Sequence, residues 1–307
     1  MQEPAYHIPA LLPETIKLLA IKPGGTYIDV TFGGGGHSRA IIAGLGPDGR
    51  LFSFDRDMDA YQNRIDDPRF TFVHSNFRYI ENFMHYHNAG KADGILADLG
   101  VSFHHFDSGE RGFSFRTDAP LDMRMNRKAT LTAAQIIADA SEDELRSMLS
   151  AYADLKKTGA VAKAIVKARA LSPIETTFQL ADAVRPALDP RQEKKEMAQV
   201  FQALRIQTND EMGDLRRFLE ATKRVLRPGG RLAVLTYHSV EDRMVKNFMK
   251  TGNVEGVEDK DFFGRSSSPW KLITRKPVEP SPEEVEANPR SRSAKLRVAE
   301  LLDTESV

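Results

Sequence analysis

One stretch of the chain combines acidic, glycine and imidazole chemistry: Asp29-Val30-Thr31-Phe32-Gly33-Gly34-Gly35-Gly36-His37. A second carboxylate, Asp55, closes the next apolar run, Arg50-Leu51-Phe52-Ser53-Phe54-Asp55. Successive glycines let a backbone turn sharply and let a ligand approach the main chain with no Cβ in the way. An acid at the end of the following strand is placed to accept hydrogen bonds from ribose hydroxyls. The pattern predicts a site for an adenosine-containing cofactor. The spacing Gly33-x-Gly35-x-x-Ser38 fits a dinucleotide fingerprint only loosely. Asp29, ahead of the turn, would meet a phosphate with like charge, but it suits a loop that holds an ammonium group.

The elements that must position these groups read as alternating strand and helix. Strands are expected near 26–32, 50–55, 70–75 and 92–98, and helices near 13–19, 38–45 and 57–65. Such alternation predicts a parallel sheet with crossover helices. Ala92–Asp98 ends in a third carboxylate, so Asp29, Asp55 and Asp98 are candidates for one cleft outside the carboxyl ends of the strands. From about 103 to 127 no period is visible, as in a long functional loop. Helical patterns follow. Ser141-Glu142-Asp143-Glu144 is a capping box, Ala160–Ala170 is alanine-rich, and Thr177 is the expected cap of a helix through Leu188. Asp210–Leu226 is amphipathic, Arg227-Pro228-Gly229-Gly230 reads as a helix stop and turn, and Arg231–Tyr237 as the fifth strand. Near the end, Trp270–Lys276 and Ala294–Ala299 read as two strands joined by a Pro- and Glu-rich connection, 277–289. A closing antiparallel pair after an α/β repeat favours S-adenosylmethionine over NAD. No Tyr-x-x-x-Lys or comparable hydride-transfer motif supports an oxidoreductase.

With 307 residues, 41% of them hydrophobic, the chain can build one large α/β domain with an insertion, or two domains. The expected boundaries are 1–103 with 206–307 for the cofactor domain and 104–205 for an inserted helical domain that recognises substrate. No cysteine is present, which removes disulfides, thiolate nucleophiles and cysteine-ligated zinc; no metal site is expected. No run approaches the roughly 18 apolar residues of a membrane span, and Met1-Gln2-Glu3-Pro4 does not open a signal peptide. A cytoplasmic location is expected. Basic and acidic residues balance at 43 each, so any nucleic-acid binding must use a local patch rather than net charge.

The chain resembles the MraW/RsmH family of bacterial methyltransferases. The resemblance rests on Tyr27-Ile28-Asp29 through Gly35-Gly36-His37-Ser38, Phe54-Asp55-Arg56-Asp57, Asp98-Leu99-Gly100-Val101-Ser102 and Glu110-Arg111-Gly112-Phe113-Ser114-Phe115. It continues through Pro120-Leu121-Asp122-Met123-Arg124-Met125, Phe201–Ile206, His238-Ser239-Val240-Glu241-Asp242-Arg243 and Asn288-Pro289-Arg290-Ser291-Arg292-Ser293. The glycine loop is generic to methyltransferases; the segments at 110–125, 238–243 and 288–293 are far more specific. The resemblance implies a Rossmann-like class I methyltransferase sheet with a helical insertion. The implied activity is transfer of a methyl group from S-adenosylmethionine to the N4 amine of a cytosine in the decoding centre of 16S rRNA. The implied partner is 16S rRNA in the small ribosomal subunit, and the family admits a homodimer. It further implies cofactor contacts at Gly35, Gly36, His37, Asp55, Phe77, Asp98 and His105, although the family usually has Gln where His105 stands.

Two residues are candidates for the chemistry. Asp98, or main-chain carbonyls near it, could accept the N4 hydrogens; its other reading is a ligand of the cofactor's amino group or an anchor of the loop. His238 is either a substrate contact or a clamp on its loop with Ser239 and Glu241. For the RNA, Phe113 and Phe115 are candidate stacking platforms and Arg111, Arg116 and Arg124 candidate phosphate contacts; packing of the long loop is the alternative for both phenylalanines. A second function class stays open: an assembly factor that binds the cofactor and rRNA without catalysis.

Overall fold

A computed structural model describes residues 8–99, 111–126, 129–259 and 267–303. The apolar runs of the sequence form one seven-stranded sheet: β1 Thr26–Asp29, β2 Arg50–Asp55, β3 Phe70–His74, β4 Ala92–Asp98, β5 Leu226–Thr236, β6 Trp270–Leu272 and β7 Lys295–Leu301. The order is β3-β2-β1-β4-β5-β7-β6. The first five strands run parallel, and β7 is antiparallel to both β5 and β6. All of β1 is buried, as is β4 up to Asp98, which is why these strands read as continuous apolar runs rather than alternating ones. The order reverses between β1 and β4, the switch point where open α/β sheets bind ligands.

Helices follow in chain order: α1 Leu12–Leu19, α2 Gly36–Gly44, α3 Ile80–Tyr86, α4 Ala133–Asp139, α5 Glu142–Tyr152, α6 Thr158–Arg169, α7 Thr177–Val184, α8 Glu193–Asn209, α9 Glu211–Val225, α10 Ser239–Thr251 and α11 Pro282–Ala287. The chain divides into two compact units. One comprises 1–100 and 213–307, the other 101–212.

The sheet unit has its apolar core on Tyr27, Ile41, Leu51, Leu96, Leu235, Leu296 and Val298, each at most 1% exposed. Each such side chain contributes roughly 1.5–3 kcal/mol on leaving water. The helical unit has its own core, with Leu145, Leu149, Val161, Ile165, Leu180 and Leu204 buried together. Its helices start on reciprocal caps. Thr132 pairs with Gln135 and Ser141 with Glu144, and each side chain bonds the other's backbone N–H.

Three local expectations change. The helix expected at 57–65 is a 3-10 turn, Met58–Asn63, in which only Ala60 is buried, so no apolar stripe extends it. The cap of α7 is Thr176, in a box with Gln179. The Thr177 hydroxyl instead donates to the Thr117 carbonyl at 2.7 Å and is fully buried. Strand β5 begins at Leu226, not Arg231. Leu226 pairs with Ala92, and the ladder resumes at Arg231 opposite Gly94, so the Arg227–Gly230 turn is an irregularity within the strand.

Candidate active site

The glycine turn is built on a buried acid. Asp29, 1% exposed, accepts from Thr31 N at 3.0 Å and Thr31 Oγ1 at 3.3 Å on Oδ1, and from Ser38 Oγ at 2.6 Å on Oδ2. The Ser38 proton is thereby committed, so Ser53, 2.8 Å away, donates to Ser38. Burial pushes the Asp29 carboxyl above its usual range; the Ser38 bond, nearby His37 and the Thr31 amide oppose this, and Asp98 adds to it. Asp29 therefore supports the loop from beneath.

The turn itself needs glycine. Gly33 adopts φ +50°, and a Cβ there would project into open space. At Gly36 a Cβ would lie 2.3 Å from Pro9 Cγ, so the loop and the segment before α1 touch through a missing side chain. Two side chains brace the turn from outside. Asn63 Nδ2 donates to Gly33 O at 3.0 Å, and Arg39 Nη1 donates to Gly34 O at 2.7 Å. Arg39 Nη2 also reaches Asn63 O at 2.8 Å.

Asp55 closes the turn against β2. Its Oδ2 accepts from Gly33 N at 2.9 Å and its Oδ1 from Asp57 N at 2.8 Å. Burial raises its carboxyl above the usual range, and those two amide donors partly offset the rise. Each carboxylate oxygen has a second lone pair for a hydroxyl donor.

At the end of β4, Asp98 is held from several sides. Its N–H donates to Thr31 Oγ1 at 2.6 Å, which ties it to the Asp29 network. Its Oδ2 is 3.6 Å from His37 Nδ1. The Tyr237 hydroxyl, just past β5, donates to its carboxylate. Burial first, then the charge of Asp98 and this bond, then Glu241 and Glu284, push the Tyr237 hydroxyl far above the ordinary tyrosine value, so it remains a donor. His37 is 5% exposed, and its Nε2 lies 3.2 Å from Ala10 O. A carbonyl only accepts, so in the neutral ring the proton sits on Nε2 and the Nδ1 lone pair faces Asp98.

His238 is the N-cap of α10. Its Nδ1 accepts from Glu241 N at 3.3 Å, and its buried Nε2 lies 3.0 Å from Glu241 Oε1 without forming a hydrogen bond. Glu241, 4% exposed, also accepts from Tyr237 N at 3.0 Å. The His238 ring is thus turned onto its own helix.

Residues 8–11 lie against the glycine turn through Pro9 and are tied to the segment before β7. Leu11 N donates to Glu284 Oε1 at 2.8 Å, and Asn288 Nδ2 donates to Ile8 O at 2.9 Å. Past β3, Phe77 packs edge-on against Phe218 at 5.4 Å. The neighbouring Asn76 and Arg78 anchor to buried Asp214, at 2.6 and 3.1 Å. The sheet unit thus gathers Gly35, Gly36, His37, Asp55 and Asp98 along its carboxyl edge. His105 lies outside the described residues.

Sequence reasoning passed over Tyr237, reading it only as a strand end. Its signal was available: it directly precedes His238, on the strand that neighbours the one ending in Asp98. It also passed over Asn63, Arg39 and Glu284, whose partners are distant main-chain atoms and leave no motif.

The RNA candidates lie in the helical unit. Phe113 is 7% exposed and part of that unit's core. Arg111 places its guanidinium over the Phe113 ring at 5.2 Å and donates from Nη2 to Arg124 O at 3.0 Å. Arg124 forks onto Asp122 at 2.6 and 2.7 Å and holds that carboxyl below its usual range. Phe115 packs on Phe201 at 5.6 Å and lines an open cleft of about 370 Å³ with Phe178, Arg185 and Lys194. Arg116 is exposed.

Comparison with known proteins gives a full-length result. The family model described as the MraW methylase family matches residues 4–302. The ribosomal RNA small subunit methyltransferase H of Bacteroides fragilis is 54% identical over 299 residues, covering 97% of this chain and 98% of that protein. Its namesake from Bacteroides thetaiotaomicron is 55% identical over 298 residues, with 97% and 98% covered. Among solved structures, an rRNA methylase from Streptococcus thermophilus aligns with a TM-score of 0.40 at 12% identity, covering 99% of each chain.

Proposed function

The chain belongs to the MraW methylase family, and on that premise we infer that it is an S-adenosylmethionine-dependent methyltransferase of small-subunit ribosomal RNA, acting on the N4 amine of a decoding-centre cytosine in 16S rRNA. The observation that carries the reading at the level of the site is the set of three carboxylates, Asp29, Asp55 and Asp98, around an open glycine turn at the switch point of the sheet.

These residues fit the cofactor. The space beside Gly33 is empty of protein atoms where a Cβ would stand, and Asp55 next to it keeps acceptor capacity for ribose hydroxyls. Asp98 stands at the end of β4 beside the Asp29 network, with His37 Nδ1 3.6 Å from its Oδ2. A carboxylate in that place is a ready partner for a cationic N–H donor. When bound, S-adenosylmethionine supplies an electrophilic methyl group on a sulfonium.

In this reading the main chain of Gly35, Gly36 and His37 takes the methionine arm, Asp55 the ribose, and Phe77 a place beside the adenine. Asp98 takes the ammonium, as the carboxylate at the end of β4 beside the glycine turn. The chain's main catalytic task is alignment of the amine with the methyl group. The N4 lone pair is delocalised into the ring, so an acceptor for its hydrogens favours a pyramidal nitrogen and stabilises the developing positive charge. The Leu99 carbonyl, next along the chain, is assigned that role. His238 fixes the start of α10. On the helical unit, exposed Arg116 and cleft-lining Phe115 face the RNA, while Arg111, Phe113 and Arg124 shape the segment that carries them. The enzyme acts where ribosomes are made; among the described residues no helix is long and apolar enough to cross a membrane.

The test is incubation with methyl-labelled S-adenosylmethionine and small ribosomal subunits from cells lacking this enzyme, followed by digestion of the rRNA to nucleosides. Label in N4-methylcytidine is expected. Label in another nucleoside would replace the base assignment. Cofactor binding with no label on naked rRNA, assembling particles or finished subunits would favour a non-catalytic assembly factor.

A further inference from the structure

We propose that Tyr237 is a positioning residue for the cofactor: its hydroxyl orients the Asp98 carboxylate that receives the ammonium of the methionine arm. The proposal rests on the assignment of Asp98 given above.

The backbone sets the geometry. Asp98 stands opposite Leu235 in the parallel β4–β5 ladder, and Leu99 N donates to Leu235 O at 3.0 Å. Side chains two residues apart leave a strand on the same face. Tyr237 therefore projects on the side of Leu235, diagonal to Asp98 and within reach of a long aromatic side chain. Its backbone is pinned by the bond from its N–H to Glu241, which is buried at the start of α10. The hydroxyl meets the carboxylate from a fixed base.

The other side of Asp98 has the opposite character. On that side His37 Nδ1 stands 3.6 Å from Asp98 Oδ2, past hydrogen-bond distance, and the ring's Nε2 lies 3.2 Å from Ala10 O. A cationic N–H donor entering between ring and carboxylate makes a charge-assisted bond to Asp98. Tyr237 contributes a neutral donor to the same carboxylate. A neutral donor fixes the orientation of the group without cancelling its charge, so the attraction for an incoming ammonium is retained. A lysine or arginine in its place would hold the carboxylate equally well and neutralise it.

The experiment measures affinity rather than turnover. S-adenosylhomocysteine carries the amino-acid arm; 5′-methylthioadenosine lacks it. Both are titrated calorimetrically into the full-length wild type and into Tyr237→Phe, Tyr237→Gln and Asp98→Asn. Loss of one hydrogen bond to a charged group is expected to weaken S-adenosylhomocysteine about tenfold in Tyr237→Phe. Asp98→Asn is expected to weaken it at least as much, and both variants leave 5′-methylthioadenosine unchanged. Tyr237→Gln keeps a neutral donor, is expected to retain most of the affinity, and supplies the test if Tyr237→Phe does not fold. Unchanged S-adenosylhomocysteine binding in Tyr237→Phe, with a loss in Asp98→Asn, overturns the role of Tyr237 and leaves that of Asp98 standing. Equal weakening of both ligands in Tyr237→Phe also overturns it, since a general disturbance of the fold does not discriminate the arm. Unchanged binding in Asp98→Asn removes the Asp98 assignment and the proposal together.

Discussion

Ser38 Oγ lies 2.6 Å from Asp29 Oδ2, inside the sheet unit, where both residues are at most 1% exposed. This bond joins the first turn of α2 to the end of β1, and Ser53 extends it to β2. Three elements that bracket the glycine turn therefore share one polar junction. Ser38→Ala leaves a carboxylate oxygen and the Ser53 hydroxyl without this partner in a dry place. A loss of about 1–3 kcal/mol is expected, read as a lower urea midpoint with an unchanged slope. An unchanged midpoint would mean that the junction adds nothing to stability.

The same junction predicts a pH dependence. Burial raises the Asp29 carboxyl above its unfolded value, so the folded chain holds that proton more tightly than the unfolded one. As pH rises above about 4, where an unfolded aspartate ionises, the folded state loses stability through this group; as pH falls it regains it. Asp29→Asn has no such ionisation. The stability of wild type relative to Asp29→Asn is expected to decline between pH 4 and neutrality, measured by denaturant unfolding at each pH. A difference that stays flat across that interval would show that Asp29 has the same proton affinity in both states.

Gly33 and Gly36 are expected to respond differently to alanine. At Gly33 the cost is that of a left-handed backbone alone, on the order of 1–2 kcal/mol, because a Cβ meets nothing. At Gly36 the Cβ meets Pro9 at 2.3 Å and pushes residues 8–11 away. Leu11 N–H, bonded to Glu284, then loses protection. Hydrogen exchange at Leu11 is expected to accelerate in Gly36→Ala and to stay as in wild type in Gly33→Ala. Acceleration in both variants, or in neither, would contradict the contact.

The sequence made the sheet strands and the three terminal carboxylates legible because parallel strands are buried on both faces. The second and fourth runs close on Asp55 and Asp98 as expected, whereas the first, expected to continue to residue 32, ends at Asp29, whose Oδ1 accepts from Thr31 N and turns the chain. The capping box at Ser141 was legible for the same local reason, whereas the cap expected at Thr177 falls on Thr176, because the Thr177 hydroxyl is committed to the Thr117 carbonyl. Contacts that depend on tertiary placement were not legible. His37 was expected as a cofactor contact from its motif, and the structure adds that its ring spans Ala10 and Asp98, which are far apart in sequence. Tyr237 and Glu284 acquire their roles only when β5 and the segment before β7 close on the N-terminal segment.

The strand order also constrains how the molecule is made. Strand β5 ends at Thr236, yet its outer neighbour β7 begins at Lys295 and lies between β5 and β6. Synthesis at about 5–20 residues per second leaves that flank of β5 unpaired for roughly 3–13 seconds. For most of that interval residues 8–11 also lack Glu284 and Asn288, which tie them down in the finished sheet unit. The nascent chain thus presents a bare strand edge, open to chaperones or to a neighbouring copy. The ties that hold residues 8–11 against the sheet unit form only after the segment that carries Glu284 and Asn288 has emerged.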